Sequence, residues 1–267
     1  MESSRFAGNS FSSAAEDFKR EWLSNLSIEE IWRDNAFYIS VAIGLFVVFI
    51  TIIIFVLKRR KLQQRGVLIF GLSDSGKTLL YCRLVASKRM HTFASMKENS
   101  AIIDLKSKKS LRLIDLPGND RLRMKLLDDF KHLARGVIFV IDSLNFSREI
   151  RDVAELLYTV LSDNIINQNR VPFLILCNKQ DEAMAKGSKV IQSQLEKEIN
   201  TLRITRSASL DLTSEVANNN TFLGKKGKDF EFGDLKPIRV EFMESSAWSE
   251  EESSNISDII NWLAKIA

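Results

Sequence analysis

The chain has 267 residues, of which 45% are hydrophobic and 27% are charged, and it contains only 3 Pro and 11 Gly. These proportions exclude collagen-like, disulfide-stabilised and wholly disordered proteins, and residues 66–267 suffice for one sizeable globular core. The formal net charge of +4 is small, and outside one basic cluster it is dispersed, so no direct nucleic-acid binding is expected.

Residues 37–57 (FYISVAIGLFVVFITIIIFVL) are an uncharged apolar run. A helix of that length extends about 31 Å, the thickness of a bilayer's hydrocarbon core, so the run predicts one transmembrane helix. A buried core helix seldom lacks polar positions for so long, and a cleaved signal peptide has a shorter run that ends at small residues. The basic linker at residues 58–65 follows directly, so the positive-inside rule places the C-terminal domain in the cytosol.

Residues 1–36 are predicted to be an N-terminal tail on the lumenal side of that membrane. Apolar residues of the stretch FKREWLSNLSIEEIW recur at near-helical spacing, which is compatible with a short interfacial helix and equally with a disordered acidic tail. The sequon Asn25-Leu26-Ser27 provides a check, because a lumenal tail is exposed to glycosylation.

From residue 66 onward, short apolar runs alternate with segments of helical period. The predicted strands are residues 67–70, 100–105, 111–115, 136–142, 171–178 and 238–245, and the predicted helices are about residues 77–87, 120–134, 147–162, 186–203 and 255–266. This alternation is typical of an α/β fold with a doubly wound, mostly parallel sheet, which binds ligands at the carboxyl ends of its strands. A polar insertion at about residues 205–237 is interpreted as a solvent-exposed loop or as a docking segment for a partner.

The first predicted strand runs into GLSDSGKT, a full match to the phosphate-loop pattern between a strand and a helix. The glycines let the backbone wrap closely around a phosphate, Lys77 neutralises β- and γ-phosphate oxygens, and the Thr78 hydroxyl ligates Mg²⁺. The nucleotide-binding residues predicted from this loop are Gly71, Leu72, Ser73, Asp74, Ser75, Gly76, Lys77, Thr78 and Leu79.

A second motif, Asp115-Leu116-Pro117-Gly118, ends the third predicted strand. Asp115 stands where a nucleoside triphosphatase needs a carboxylate to hold Mg²⁺ through water, and the Gly118 N–H is placed to meet a γ-phosphate. Without the phosphate loop, the same residues would be interpreted as an ordinary turn.

The third motif, Asn178-Lys179-Gln180-Asp181, closes the fifth predicted strand and identifies the base. Guanine presents N1–H and N2–H₂ in a line that one carboxylate accepts, and adenine has no such pair, so Asp181 selects guanine. Asn178 is expected to tie this loop to the phosphate loop, and the Lys179 stem to cover the face of the base. After the last strand, Ser246 and Ala247 of a Ser-Ser-Ala run are expected to supply a backbone N–H to the guanine O6.

The motifs GLSDSGKT, DLPG, NKQD and SSA resemble those of the small Ras- and Arf-like GTPases. With one membrane span ahead of such a domain, the chain more specifically resembles the beta subunits of the signal recognition particle receptor, through the runs GLSDSGKTLL, RLIDLPGNDRLR, NKQDEAMAK, QLEKEINTLRITRSAS, LGKKGKDFEF and NWLAKIA. The resemblance implies a GTP- and Mg²⁺-dependent protein of the endoplasmic reticulum membrane. In its GTP form it would hold the receptor's alpha subunit, which receives ribosome–nascent-chain complexes for the translocon.

Two positions depart from the pattern that the resemblance implies. Ras-like proteins carry a water-orienting Gln just after DLPG, and the receptor subunits commonly carry His, but this chain has Asn119. Asn is shorter and cannot act as a base, so slow intrinsic GTP hydrolysis is expected, with stimulation by a partner left open. In the first-switch segment, residues 91–96 (HTFASM), Ala94 replaces a magnesium-sensing Thr, and Thr92 and Ser95 are the candidates to substitute for it.

The leading hypothesis is therefore a membrane-anchored GTP switch. A non-hydrolysing structural anchor that holds GTP permanently is the alternative that Asn119 favours. A phosphate-loop ATPase or small-molecule kinase conflicts with Asp181.

Overall fold

The computed structural model describes residues 38, 40–55, 66–105, 109–212, 222–225, 227–249 and 254–267. The chain divides into two compact units, Met1–Arg60 and Lys61–Ala267.

In the first unit, residues 40–55 are helical and every one of them is exposed. The polar side chain of Thr51 donates its hydroxyl proton to the Val48 carbonyl at 2.8 Å, which satisfies it within the helix. None of the helices among the described residues is long and apolar enough to cross a membrane. The predicted span, residues 37–57, extends past the described residues at both ends, and the predicted tail and basic linker lie outside them.

The second unit is built on one six-stranded sheet. Its strands are β1 (Gly66–Phe70), β2 (Asn99–Leu105), β3 (Lys109–Asp115), β4 (Ala134–Asp142), β5 (Phe173–Asn178) and β6 (Val240–Glu244). The strand order is β2-β3-β1-β4-β5-β6, with β2 antiparallel to β3 and all other neighbours parallel. The predicted six-stranded, mostly parallel sheet of an α/β fold is confirmed.

Helices cover both faces of this sheet. They are α1 (Lys77–Ala86), α2 (Asp120–Phe130), α3 (Phe146–Leu161), α4 (Asn164–Gln168), α5 (Ser188–Leu212) and α6 (Ser254–Ile266), with 3₁₀ turns at Lys131–Leu133 and Phe232–Asp234. The five-residue α4 was not predicted, because it is too short to show a period. It is fixed instead by its cap, since Asp163 Oδ1 accepts the N–H groups of Ile165 and Ile166 at 2.8 and 3.2 Å.

The central strands are apolar at every position because both faces are covered. On β1, Leu68 and Phe70 pack into the core on one face while Val67 and Ile69 pack into the core on the other, and all four are fully buried. Helices α3 and α5 contribute to the first core, and α1 and α6 to the second. Burial of each such side chain contributes about 1.5–3 kcal/mol, so the sheet holds its strand ends in fixed positions.

The segment expected to be a polar surface insertion, residues 205–237, differs from that expectation. Helix α5 continues through Leu212, past its predicted end at residue 203. Beyond residues 213–221, which lie outside the described residues, the segment returns to the core, where Leu223, Phe230, Phe232 and Leu235 are buried. Lys, Gly and Asp residues separate these apolar residues, so the average hydropathy of the segment is low and does not reveal them.

The buried guanidinium of Arg203 on α5 holds the returning segment. Its Nη1 donates to the carbonyls of Leu223 and Lys225, both at 3.3 Å, and its Nη2 donates to the Lys228 carbonyl. The same guanidinium lies 5.0 Å from the centre of the Phe222 ring. A buried cation is stable only when its donors are satisfied, so the backbone carbonyls of this segment and Arg203 fix one another.

Candidate functional site

The phosphate-loop motif connects β1 to α1 through a backbone that requires glycine. Gly71 has φ +147° and Gly76, at the N-cap of α1, has φ +88°. A Cβ at Gly71 would collide with the Val140 carbonyl oxygen, and one at Gly76 would collide with the Asn178 amide. The loop therefore curls against β4 and β5 and leaves the α1 N-terminus, which carries partial positive charge, open to an anion.

Lys77 is buried at the floor of this loop. Its ammonium donates to the Leu72 carbonyl and lies 3.5 Å from Ser75 Oγ. Burial lowers the pKa of Lys77 to about 8, although the nearby Asp115 and Asp74 carboxylates act in the opposite direction. A phosphate placed here would supply the negative charge that this partly desolvated cation lacks.

Hydroxyl and carboxylate oxygens gather beside Lys77. Thr78 Oγ1 donates to Asp115 Oδ2 at 2.8 Å, and the Asn99 amide donates to the same oxygen at 3.2 Å. Because the single Thr78 proton is used there, the Ser95 hydroxyl, 3.2 Å away, donates to Thr78. Ser95 thus reaches the predicted Mg²⁺ ligands, whereas Thr92 lies only in the cavity wall.

This cluster fits a hard divalent cation. Asp115 is fully buried, its Oδ1 has no hydrogen-bond partner, and burial raises its pKa against the lowering effect of Thr78 and Asn99. An unpaired buried carboxylate oxygen beside two hydroxyls matches the oxygen ligands that Mg²⁺ prefers. Among the described residues, no group of three or more His, Cys, Asp or Glu side chains is placed to hold a metal ion. Bound Mg²⁺ would therefore complete its shell with water and phosphate oxygens, whose negative charge it would neutralise.

A cavity of about 180 Å³ lies over the phosphate loop. It brings together the loop, the first-switch segment and the residues after β3, and it is lined by Ser73, Asp74, Gly76, Lys77, Thr78, Thr92, Phe93, Ala94, Ser95, Met96, Gly118 and Asn119. A Cβ on Gly118 would stand 2.8 Å from Lys77 Nζ, so the Gly118 backbone lies close to the ammonium. Asn119 is exposed and caps α2, because its Oδ1 accepts the Arg121 N–H at 3.0 Å.

Asn178 joins three loops at the carboxyl edge of the sheet. Its amide donates to the Ser75 carbonyl at 2.8 Å, and its Oδ1 accepts the Ala247 N–H at 3.0 Å and the Ser245 hydroxyl at 3.3 Å. The expected tie between Asn178 and the phosphate loop is therefore present. The side chain is buried, so breaking these bonds would leave polar groups unsatisfied.

Asp181 and Lys179 are held by different partners. The Ser246 hydroxyl donates to Asp181 Oδ1 at 2.5 Å, which fixes the exposed carboxylate. Lys179, with φ +67°, forms an ion pair with Asp142 at 2.7 Å, and Asp142 also accepts the Leu144 N–H at 2.9 Å. The ammonium of Lys179 anchors its stem across the edge of the sheet.

Most of the predicted site residues come together in this structure. Leu72 and Leu79 differ, since their side chains are partly buried and pack against the two cores. Asn99 and Asp142 were missed. Asp142 ends β4 as Asp115 ends β3 and Asn178 ends β5, so its position after an apolar strand was the available signal. Asn99 gave no such signal, because only the antiparallel pairing of β2 and β3 sets it opposite Asp115.

Comparison with known proteins agrees with the fold and the motifs. Residues 62–238 match the sequence profile of the family described as "Signal recognition particle receptor beta subunit". The chain is 48% identical over 245 residues to the signal recognition particle receptor subunit beta of Mus musculus, which covers 90% of this chain and 91% of that protein.

Two solved structures are also similar. The mammalian SRP receptor shares 52% identity at a TM-score of 0.67, covering 76% of this chain and all of that one. The SRb-GTP/SRX complex of the signal recognition particle receptor from Chaetomium thermophilum shares the fold, with a TM-score of 0.57 at 20% identity over 76% of this chain and 98% of that one. The chain belongs to the signal recognition particle receptor beta subunit family, whose fold is that of a small GTPase.

Proposed function

We propose that this chain binds GTP with Mg²⁺ at the carboxyl edge of the sheet and uses the nucleotide to control partner binding. The phosphates would lie against Lys77 and the N-terminus of α1, with Mg²⁺ beside Thr78 and Asp115. Ser95 is the first-switch residue that we assign to the Mg²⁺ side of the site, because its hydroxyl contacts Thr78.

The observation that carries the base assignment is the Asn178 bridge. Asn178 links the phosphate loop to the Ser245–Ala247 loop, and Ser246 of that loop holds the Asp181 carboxylate. A base bound beside this bridge would contact the Asp181 carboxylate, which Ser246 holds in place. One carboxylate can accept two parallel N–H groups. Guanine supplies that pair and adenine does not.

The cellular role follows from family membership and from the sequence before residue 66. The proposed arrangement is a lumenal tail at residues 1–36, a transmembrane helix at residues 37–57, a basic linker at residues 58–65 and a cytosolic GTPase domain at residues 66–267. In the GTP form, the domain would hold the receptor's alpha subunit at the endoplasmic reticulum membrane for co-translational targeting, and would meet ribosome and translocon only through it. The Chaetomium relative in complex with SRX supports a protein partner for the GTP form.

Hydrolysis is proposed to be slow. Asn119 lines the cavity, but its side-chain oxygen is occupied in capping α2. To orient a water for hydrolysis, the Asn119 side chain would have to break the hydrogen bond with which it caps α2. The same observation favours the second candidate, a permanent GTP-bound anchor that does not hydrolyse, and retention of unhydrolysed GTP through purification distinguishes that candidate from the switch.

The decisive experiment is a competition titration of the full chain in detergent with GTP, GDP, ATP and xanthosine triphosphate. Wild type is expected to prefer GTP to ATP by orders of magnitude. Asp181→Asn is expected to bind xanthosine triphosphate in preference to GTP, because the 2-oxo group of xanthine accepts a hydrogen bond from the new amide. The matched control Asp104→Asn, an exposed carboxylate on the edge strand β2, should bind as wild type does. Equal binding of ATP and GTP by wild type would refute the base assignment.

Membrane topology has its own test. If residues 1–36 are lumenal, Asn25 is the sequon open to glycosylation, and Asn25→Gln removes any glycan found there. Glycan at Asn219 or Asn255, which begin sequons in the proposed cytosolic domain, would reverse the proposed orientation.

A further inference from the structure

Arg83, in the last turn of α1, reaches the loop that follows β6. Its Nη1 donates to the carbonyl of Ala247 at 3.1 Å and to the carbonyl of Ser249 at 2.5 Å. The residue is separated from these partners by more than 160 positions, and it is half-buried. No sequence motif singled it out.

The rest of this loop is held from the opposite side. The Ala247 N–H donates to Asn178 Oδ1 at 3.0 Å, and the Ser249 N–H donates to Ser246 Oγ at 2.9 Å. Ala247 is therefore fixed through its N–H by the base-binding side of the site and through its carbonyl by Arg83. In a trans peptide the C=O and the following N–H point in opposite directions, so Arg83 also directs the Trp248 N–H away from α1.

A second arginine supports the outer part of the loop. Arg89 donates to the Trp248 carbonyl at 3.1 Å and lies 4.7 Å from the centre of the Trp248 indole, while the His91 ring is 5.4 Å from it. Arg89 and Trp248 are both exposed, so these contacts are more strongly hydrated than those of Arg83.

We propose that Arg83 is a positioning residue for recognition of the base at its 6-oxo group. The Ser245, Ala247 and Ser249 N–H groups are bonded within the protein. By fixing two carbonyls of the Ser245–Ser249 loop, Arg83 orients the Trp248 N–H toward the O6 of guanine. The proposal rests on the proposed function, because it requires guanine to lie between Asp181 and this loop. It adds a specificity contribution from α1, the helix that also begins at the phosphate site.

The test compares nucleotides that differ only at the base. Affinities of the full chain in detergent are measured for GTP, for 6-thio-GTP, in which a weakly accepting sulfur replaces O6, and for inosine triphosphate, which keeps O6 but lacks the 2-amino group. Arg83→Met is expected to bind GTP about tenfold more weakly, the effect of one charge-assisted hydrogen bond. The loss for inosine triphosphate should be equally large, and the loss for 6-thio-GTP below about twofold.

Two further variants complete the experiment. Arg83→Lys keeps the charge with a differently shaped donor group, so it should show a smaller loss with the same dependence on O6, and it carries the test if Arg83→Met does not fold. Arg112→Met, an exposed arginine on β3 that contacts Ser100, should bind all three nucleotides as wild type does.

The possible failures are distinguishable. If wild type prefers GTP to ATP and the Arg83 variants lose equal factors for GTP and 6-thio-GTP, or lose nothing, Arg83 has only a structural role and the inference is wrong. If wild type does not prefer GTP to ATP, the guanine assignment of the proposed function fails, and this inference fails with it.

Discussion

The amide nitrogen of Asn178 lies 2.8 Å from the carbonyl oxygen of Ser75, although 103 positions separate the two residues in the chain. Since Asn178 Oδ1 also accepts the Ala247 N–H, one buried side chain couples the phosphate end of the site to its base end. On the proposed function, affinity for the phosphates and selectivity for the base are therefore expected to be coupled.

Asn178→Ala should reduce both nucleotide affinity and stability. The substitution leaves the Ser75 carbonyl and the Ala247 N–H without their partner, at a cost of about 1–3 kcal/mol for each group that stays buried. Calorimetric titration and chemical unfolding should show a loss of GTP affinity of about a hundredfold, with a lower free energy of unfolding. Asn169→Ala, at an exposed position after α4, is the matched control and should change neither quantity.

Alanine substitutions at Gly76 and Gly227 separate the cost of backbone strain from the cost of a steric clash. Both have positive φ, +88° and +77°, so alanine at either position costs about 1–2 kcal/mol in backbone strain. At Gly227 the added Cβ meets open space, whereas at Gly76 it displaces the Asn178 amide. Gly76→Ala should therefore lose GTP affinity by at least about tenfold, and Gly227→Ala should keep it. Equal affinities of the two variants in the same titration would show that the Gly76 contact is unimportant.

GTP affinity should fall as the pH rises above about 8. Lys77, whose pKa burial lowers to about 8 in the free protein, becomes neutral above that pH, while bound phosphate favours its charged form and raises the pKa. Affinity is thus fully present below pH about 8 and is lost, by up to tenfold per pH unit, as the pH rises toward the pKa of the bound form.

Calorimetry in two buffers of different ionisation enthalpy measures the expected proton uptake on binding. Lys77→Arg is the control, because arginine stays charged throughout and should take up no proton at this position. Deprotonation of guanine itself affects both proteins alike, so identical pH profiles would remove Lys77 as the cause.

Asn119→Ala should affect stability more than hydrolysis. Its side chain caps α2, and loss of such a cap costs about 1 kcal/mol. Because the same oxygen accepts the Arg121 N–H, the single-turnover rate of GTP hydrolysis should change by less than about threefold. Asn119→Ser keeps a cap and should restore the stability lost in Asn119→Ala. A rate at least tenfold lower in both variants would instead give Asn119 a direct part in positioning water.

The elements predicted correctly are those whose signal is local. The six strands follow from short apolar runs, several of them apolar at every position, and the phosphate loop follows from a fixed spacing of Gly, Lys and Thr between a strand and a helix. Each motif was also placed correctly at a strand end, because the carboxyl edge of a parallel sheet is where such loops must meet.

What was missed depends on partners that are distant in sequence. Arg203 appeared to be one charge among many, and only the fold shows that it binds the carbonyls of a returning segment. Phe230 and Phe232 lie in a stretch of low average hydropathy, yet their rings meet at 5.1 Å and are buried. Hydropathy averaged over a window of residues does not reveal such a pair, because in this segment single buried residues alternate with exposed ones.

Ser245, Ser246 and Ala247 follow Asn178 by 67 or more positions, which has a consequence for biosynthesis. Until β6 and this loop have been translated, Asn178 lacks two of its three partners and Asp181 lacks Ser246. A nascent chain that stops before this loop has the phosphate loop but not a complete base pocket. Guanine selectivity would thus be acquired only after residues 245–247 have been added, so the nucleotide would discriminate chains that contain this loop from chains that stop before it.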